Sequence, residues 1–191
     1  YLQEVVADRW INNRRFHTNF SNDFSTGVTV IRSGSSDNIH RHFGGIAEGI
    51  DGRLHLVYSY NSVHALTSGA NSKYCFSDDG GKTWSAEIDV IASESGYDQR
   101  SLSLGVTPSG RVILVYAKTP APSGSPTVLK LKYSDDNGST WTQGTDIVSV
   151  PYAYCRAYGR VKVIPGTTNV PYRLAITPYY QSSSSPTYKI A

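Results

Sequence analysis

The sequence predicts an all-β chain built from four-stranded antiparallel units stacked as the blades of a propeller. Three observations predict it: an eight-residue turn pattern that occurs twice, a strand pattern that recurs in step with it, and the lack of helical periodicity. Ser77-Asp78-Asp79-Gly80-Gly81-Lys82-Thr83-Trp84 returns as Ser134-Asp135-Asp136-Asn137-Gly138-Ser139-Thr140-Trp141. Gly52-Arg53-Leu54-His55-Leu56-Val57-Tyr58 returns, at nearly the same offset, as Gly110-Arg111-Val112-Ile113-Leu114-Val115-Tyr116.

Each unit resolves into four β-runs separated by turn residues, about 42–50, 53–60, 72–77 and 83–91 in the first and about 100–107, 111–118, 128–134 and 140–150 in the second. Leu54, Leu56, Tyr58 and Tyr60 share one strand face, as do Val112, Leu114 and Tyr116, which is the period-2 signature of a packed sheet. Four short antiparallel strands in a unit of this length describe a propeller blade. A third unit begins with Arg160–Ile164 and Tyr172–Ile176. The span from Arg53 to Ser77 nearly equals that from Arg111 to Ser134, so a third box, counted on from Arg173, is expected near position 196 or 197, beyond the last residue. The expected organisation is therefore a segment 1–40, with a strand at Thr26–Arg32 serving as an N-terminal extension or outer strand of a neighbouring or closing blade. Residues 41–191 form about 2.5 blades: about 41–92, 98–150 and an incomplete 154–191. Propellers usually have 4 to 8 blades, so the others are expected from residues outside this sequence or from other chains.

Composition narrows the function classes. Hydrophobic residues at 39% and aromatic residues at 12% are enough for a core, and a net charge of +3 is too small and dispersed to suggest a nucleic-acid partner. No apolar run approaches the roughly 20 residues of a membrane span, and no charged-then-apolar leader opens the sequence. The absence of methionine, position 1 included, suggests a piece of a longer protein. Cys75 and Cys155, far apart in the chain and without ligand-spaced partners, suggest neither a metal site nor a disulfide framework, and no cofactor is expected.

Within the box, Asp79 and Asp136 are suited to accept turn N–H groups, Gly81 and Gly138 to supply positive φ, and Trp84 and Trp141 to pack between sheets. These residues resemble the Asp-box (BNR) repeat of sialidases and related propellers, over about 40–191. The resemblance implies a six-bladed ring whose box hairpins lie on the face away from the active site. It also implies a glycoside hydrolase acting on an acidic glycan or surface polysaccharide, of the kind found on phage tails or in secreted bacterial enzymes, hence extracellular or on a virion surface. Similar boxes occur in receptors and assembly factors, so a non-catalytic propeller that binds glycan or protein is the alternative.

The loops leading into the first strands should meet the second-to-third strand loops on the other face. An arginine recurs there: Arg41, Arg100 and Arg160 precede Arg53, Arg111 and Arg173 by nearly equal distances in sequence. A guanidinium suits a sugar carboxylate because its planar fork gives two parallel hydrogen bonds and keeps its charge. Sialidases use an arginine triad in this way, and Arg41 falls where its first member would be, although Arg41-His42-Phe43 replaces the usual Arg-Ile-Pro. The same residues also fit a solvated channel rim whose arginines pair with Asp37 and Asp98. Those two aspartates are the candidate general acids. The loop Asn61–Asn71, where similar sialidases carry their acid, has no carboxylate and offers His64 instead. Tyr97 and Tyr154, with Tyr158 and Phe43, are candidates to stack on sugar rings.

Overall fold

The structure, a computed structural model, describes residues 39–64, 67–121, 126–150, 154–157, 159–167, 170–181 and 188–190. The expected strand Thr26–Arg32, Asp37 and Tyr158 lie outside the described residues. The described residues form strands and turns without a helix.

The first blade is an antiparallel sheet of β1 (His40–Glu48), β2 (Leu54–Asn61), β3 (Asn71–Ser77) and β4 (Ile88–Ile91), hydrogen-bonded in that order. The second repeats it with β5 (Tyr97–Val106), β6 (Val112–Pro120) and β7 (Thr127–Ser134). Its fourth position is divided between β8 (Thr142–Gln143) and β9 (Val148–Val150), both paired with β7. In the third unit the first strand is carried by β10 (Tyr154–Ala157), β11 (Gly159–Arg160) and β12 (Lys162–Thr167), and the second by β13 (Val170–Ala175) and β14 (Pro178–Gln181). The third-strand place is held by β15 (Tyr188–Ile190). Neighbouring blades meet at their inner strands: β11 runs parallel to β5, with Gly159 beside Ser103 and Arg160 beside Leu104.

The fourth strands are shorter than the sequence pattern suggests because the box residues are held in a turn. Asp79 accepts the Thr83 N–H at 2.9 Å and its hydroxyl at 2.7 Å, and Ser77 Oγ accepts the Gly81 N–H at 2.8 Å. The second box repeats the set, with Thr140 N to Asp136 at 2.8 Å and Gly138 N to Ser134 Oγ at 2.8 Å. Gly81 and Gly138 both have φ of 90°, a region L side chains avoid. The Thr140 hydroxyl and N–H favour the ionised carboxylate of Asp136 and lower its pKa to about 2; Asp79 is lowered likewise by Thr83.

The core lies between blades. Strand β6 sends Val112, Leu114 and Tyr116 toward the first blade, where they join Val57, Tyr74 and Ile91. Its alternate residues Ile113, Val115 and Ala117 pack with Cys155, Ala157 and Val161 of the third unit. A strand buried on both faces reads as a continuous apolar run, as Val112–Ala117 does. In the first blade the fully buried residues of β2 include His55, Val57 and Ser59, which alternate with the leucines singled out from the sequence.

Leu114 is fully buried at this junction. Leu114→Ala should lower unfolding free energy by about 2–5 kcal/mol, as read from urea midpoints, and the loss should be absent for exposed Ile147→Ala.

Candidate functional site

The starts of β1 and β5 share one end of the sheets with the β2–β3 connection, because Arg41 pairs with Tyr60 and Tyr60 with Asn71. The boxes are at the other end, where Leu54 pairs with Ser77. Both inner strands carry an irregularity near this first end, between His42 and Gly45 and between Arg100 and Ser103. At the second, Ser101 has φ of 63°, an unusual conformation for a residue other than glycine. Bulges of this kind redirect side chains and increase local twist.

The ladder differs from the spacing expectation for the arginines. His42, Arg100 and Arg156 pair with Ser59, Ala117 and Tyr179, which stand at the same place after Arg53, Arg111 and Arg173. The register equivalents are therefore His42, Arg100 and Arg156. Arg41 is one residue off, and in a strand a one-residue slip moves a side chain to the opposite face. Its guanidinium sits 5.2 Å from the centre of the Tyr60 ring. Arg160 lies on β11 beside Leu104 and is exposed, whereas Arg156 is buried and donates to Thr119 Oγ1 at 2.8 Å. The bulges of β1 and β5 are alike, His42 to Gly45 and Arg100 to Ser103 spanning the same number of residues. Arg41 is out of register because it stands one residue further from Arg53 than Arg100 does from Arg111, and Arg160 because the first strand of the third unit is interrupted.

Asp98 and Arg100 form a closed unit. Arg100 donates from Nε to Asp98 at 2.5 Å and from Nη2 to the second carboxylate oxygen, and from Nη1 to the His64 carbonyl at 2.5 Å. The Thr67 N–H also donates to Asp98, at 2.8 Å. Asp98 is fully buried and Arg100 nearly so. Both carboxylate oxygens are thus engaged, and in this arrangement Asp98 is the counter-ion of Arg100, away from solvent.

Around this pair the sequence candidate His64 meets two histidines that spacing did not single out, His40 and His42. The rings of His40 and His42 are 6.4 Å apart, those of His40 and His64 6.3 Å, and those of His42 and His64 5.1 Å, the last edge-on. Burial, then the nearby Arg100 charge, lowers the pKa of His42 from 6.5 to about 4. At neutral pH it is an uncharged imidazole, able to donate and accept. Asn61, paired across the ladder with His40, is 4% exposed, and neither its amide nitrogen nor its oxygen has a hydrogen-bond partner among the described residues. The signal in the sequence was the His-x-His alternation, which puts His40 and His42 on one strand face. Among the described residues no group of three or more His, Cys, Asp and Glu side chains is arranged to hold a metal ion.

Of the aromatic candidates, Tyr97 opens β5 and has the Lys118 ammonium 4.1 Å from its ring centre. Tyr154 opens β10 opposite Gln181. His64 is exposed on the loop after β2. The end of the sheets thus combines three imidazoles, of which His42 is neutral, an amide, the Arg41 cation and the Asp98–Arg100 ion pair, groups suited to a ligand rich in hydroxyls.

Two outcomes follow from this geometry. Asp98→Asn leaves the Arg100 charge buried without its counter-ion and should cost about 3–5 kcal/mol, while Asp98→Leu combined with Arg100→Met should recover much of that loss, as measured by chemical unfolding. His42 has a folded-state pKa below its unfolded value, so the unfolded chain binds the extra proton first. Stability should fall as pH drops from 6.5 toward about 4, with a shallower slope in His42→Gln; an unchanged slope would remove His42 from that dependence.

No protein-family model and no curated protein matches the chain. Solved structures do. A sialidase named Hadza microbial sialidase Hz136 aligns at a TM-score of 0.60 and 18% identity, covering 78% of this chain and 37% of that one. The NanB sialidase of Streptococcus pneumoniae aligns at 0.56 and 12%, covering 85% and 46%. A protein of unknown function from Dyadobacter fermentans aligns at 0.50 and 15%, covering 86% and 56%. The chain thus spans less than two thirds of each of these structures, and at these identities the likeness establishes the fold: a β-propeller of the kind seen in those sialidases.

Proposed function

We propose that this chain supplies two four-stranded blades and part of a third to a carbohydrate-directed, sialidase-like glycoside hydrolase propeller, and that its glycan-facing end carries Arg41, His40, His42 and His64. The observation that carries this reading is the packing of His40, His42 and His64 at the end of the sheets opposite the box hairpins, with Arg41 at the same end on the other face of β1, in a fold shared with two sialidases. The two hairpins share their Asp–Thr, Ser–Gly, Ser–Asp and Trp–Gly hydrogen bonds, which supports membership of the Asp-box class. An acidic sugar is the favoured ligand class, since Arg41 brings a permanent cation to that end. The remaining blades come from other residues or other chains, and the setting is extracellular or a virion surface.

A second reading, a non-catalytic propeller that binds glycan or protein, is favoured by one specific observation: Asp98 is committed to Arg100 and Thr67. The whole protein, assayed with fluorogenic sialosides and uronosides and on a glycan array, separates the two. The enzymatic reading expects turnover that Arg41→Ala reduces by about a hundredfold in kcat/KM, with substrate affinity falling as salt rises. Glycan or protein binding without turnover of any glycoside would establish the second reading instead.

A further inference from the structure

The junction between the first two blades shows what an Asp-bearing box hairpin does besides turning the chain. The second blade's hairpin is seated on the first. Arg53, held by Asp78 at 2.7 Å and stacked 3.8 Å from the Phe76 ring centre, donates from Nη1 to the Asn137 carbonyl at 3.0 Å. The Asn137 side chain reaches back to Asp51 at 2.7 Å. Trp141 meets the Tyr74 ring edge-on at 5.2 Å, and Gly138 is so close that a Cβ there would overlap the Tyr74 hydroxyl.

The same seat is present one blade further on, with no box hairpin in it among the described residues. Register makes Arg111, Leu131 and Tyr133 the equivalents of Arg53, Tyr74 and Phe76, since Val57 pairs with Tyr74 and Val115 with Leu131. Arg111 is held by Asp135 at 2.6 Å and lies 4.3 Å from the Tyr133 ring centre, as Arg53 is held and stacked in the first blade. Its Nε and Nη2 are used by Asp135, and its Nη1 has no partner among the described residues. These residues, with Tyr172 and Leu174 of β13, line a groove of about 620 Å³.

We propose that this groove is the docking site for a hairpin of the Ser-x-Asp-x-Gly-x-Thr-Trp class, presented by the third blade. Three particulars identify the occupant. The Arg111 Nη1 donor calls for a turn carbonyl, as Arg53 donates to that of Asn137. Leu131, beside Tyr133 in the lining of the groove, holds the place at which Tyr74 receives the indole. β15 pairs with β14 in the third-strand place, and it is directly after the third strands β3 and β7 that the two boxes begin. The proposal does not depend on the functional reading above.

The test supplies the hairpin in trans. A cyclised peptide with the sequence of residues 133–143, labelled with a fluorophore, is titrated against the 191-residue chain. The expected result is saturable binding that weakens about tenfold or more when the peptide's tryptophan is replaced by alanine, and likewise in Arg111→Ala. A second measurement guards against a weak peptide: in Leu131→Cys, a peptide with cysteine in place of its tryptophan should form a disulfide with that position, and should fail to do so with the exposed control Ile88→Cys. Equal binding of the two peptides, equal trapping at both cysteines, or no binding and no trapping would overturn the proposal. So would self-association of the chain that Arg111→Ala abolishes while the peptide has no effect on it, since the occupant would then be a second copy.

Discussion

Two-sided burial of the sheets is the constraint from which the rest follows. A blade whose strands carry apolar residues on both faces cannot be satisfied alone, and β6 shows the consequence: Leu114 faces the first blade while Val115 faces the third unit. Removing Leu, Val and Tyr side chains from water in this way contributes about 1.5–3 kcal/mol for each fully buried large residue. The blades must therefore stack, and stacking sets the inner strands side by side, as β11 lies beside β5. The box hairpin complements the contact at the far end by placing Trp141 over Tyr74.

Stacking also produces the polar end of the sheets. Where inner strands converge, the apolar pattern gives way to His40, His42, Asp98 and Arg100, and bulges interrupt both ladders at that point. The two blades solve the problem of buried polar groups differently. In the second, Asp98 and Arg100 neutralise each other; in the first, the equivalent positions are two histidines, and Asn61 lies opposite one of them without a hydrogen-bond partner among the described residues. An unsatisfied buried amide costs free energy, and with Ser101 at positive φ nearby it marks this end as the place where local stability is given up.

Much of the architecture was legible because it is written in short-range patterns. The repeated boxes, the alternation Val112, Leu114, Tyr116 and the turn glycines each report local geometry, and the strands fell where those patterns put them. The candidate site was legible only in outline. The position of Arg100 at the start of β5 was readable, but its partner was not, since a buried ion pair with Asp98 and a solvent-facing clamp have the same spacing. The alignment of Arg41 with Arg100 failed because nearly equal spacing is not enough in a strand, where one residue of difference reverses the face, and the alignment of Arg160 failed where the third unit's first strand is broken into β10, β11 and β12. Bulges leave little trace in a single sequence, and each one changes which face a side chain occupies. The shortened β4 has a similar origin, in hydrogen bonds from Thr83 that hold the box as a turn.

Interdependence of the blades is the central claim, and native-state amide hydrogen exchange at Val57 and Leu114 tests it most directly. These residues are on different blades but in one buried cluster. The account predicts that their amides exchange only through the same large opening, with equal free energies and equal denaturant dependence. Exchange of Val57 through a small, denaturant-insensitive opening, with Leu114 still protected to the global limit, would show that the blades are stable independently and would contradict it.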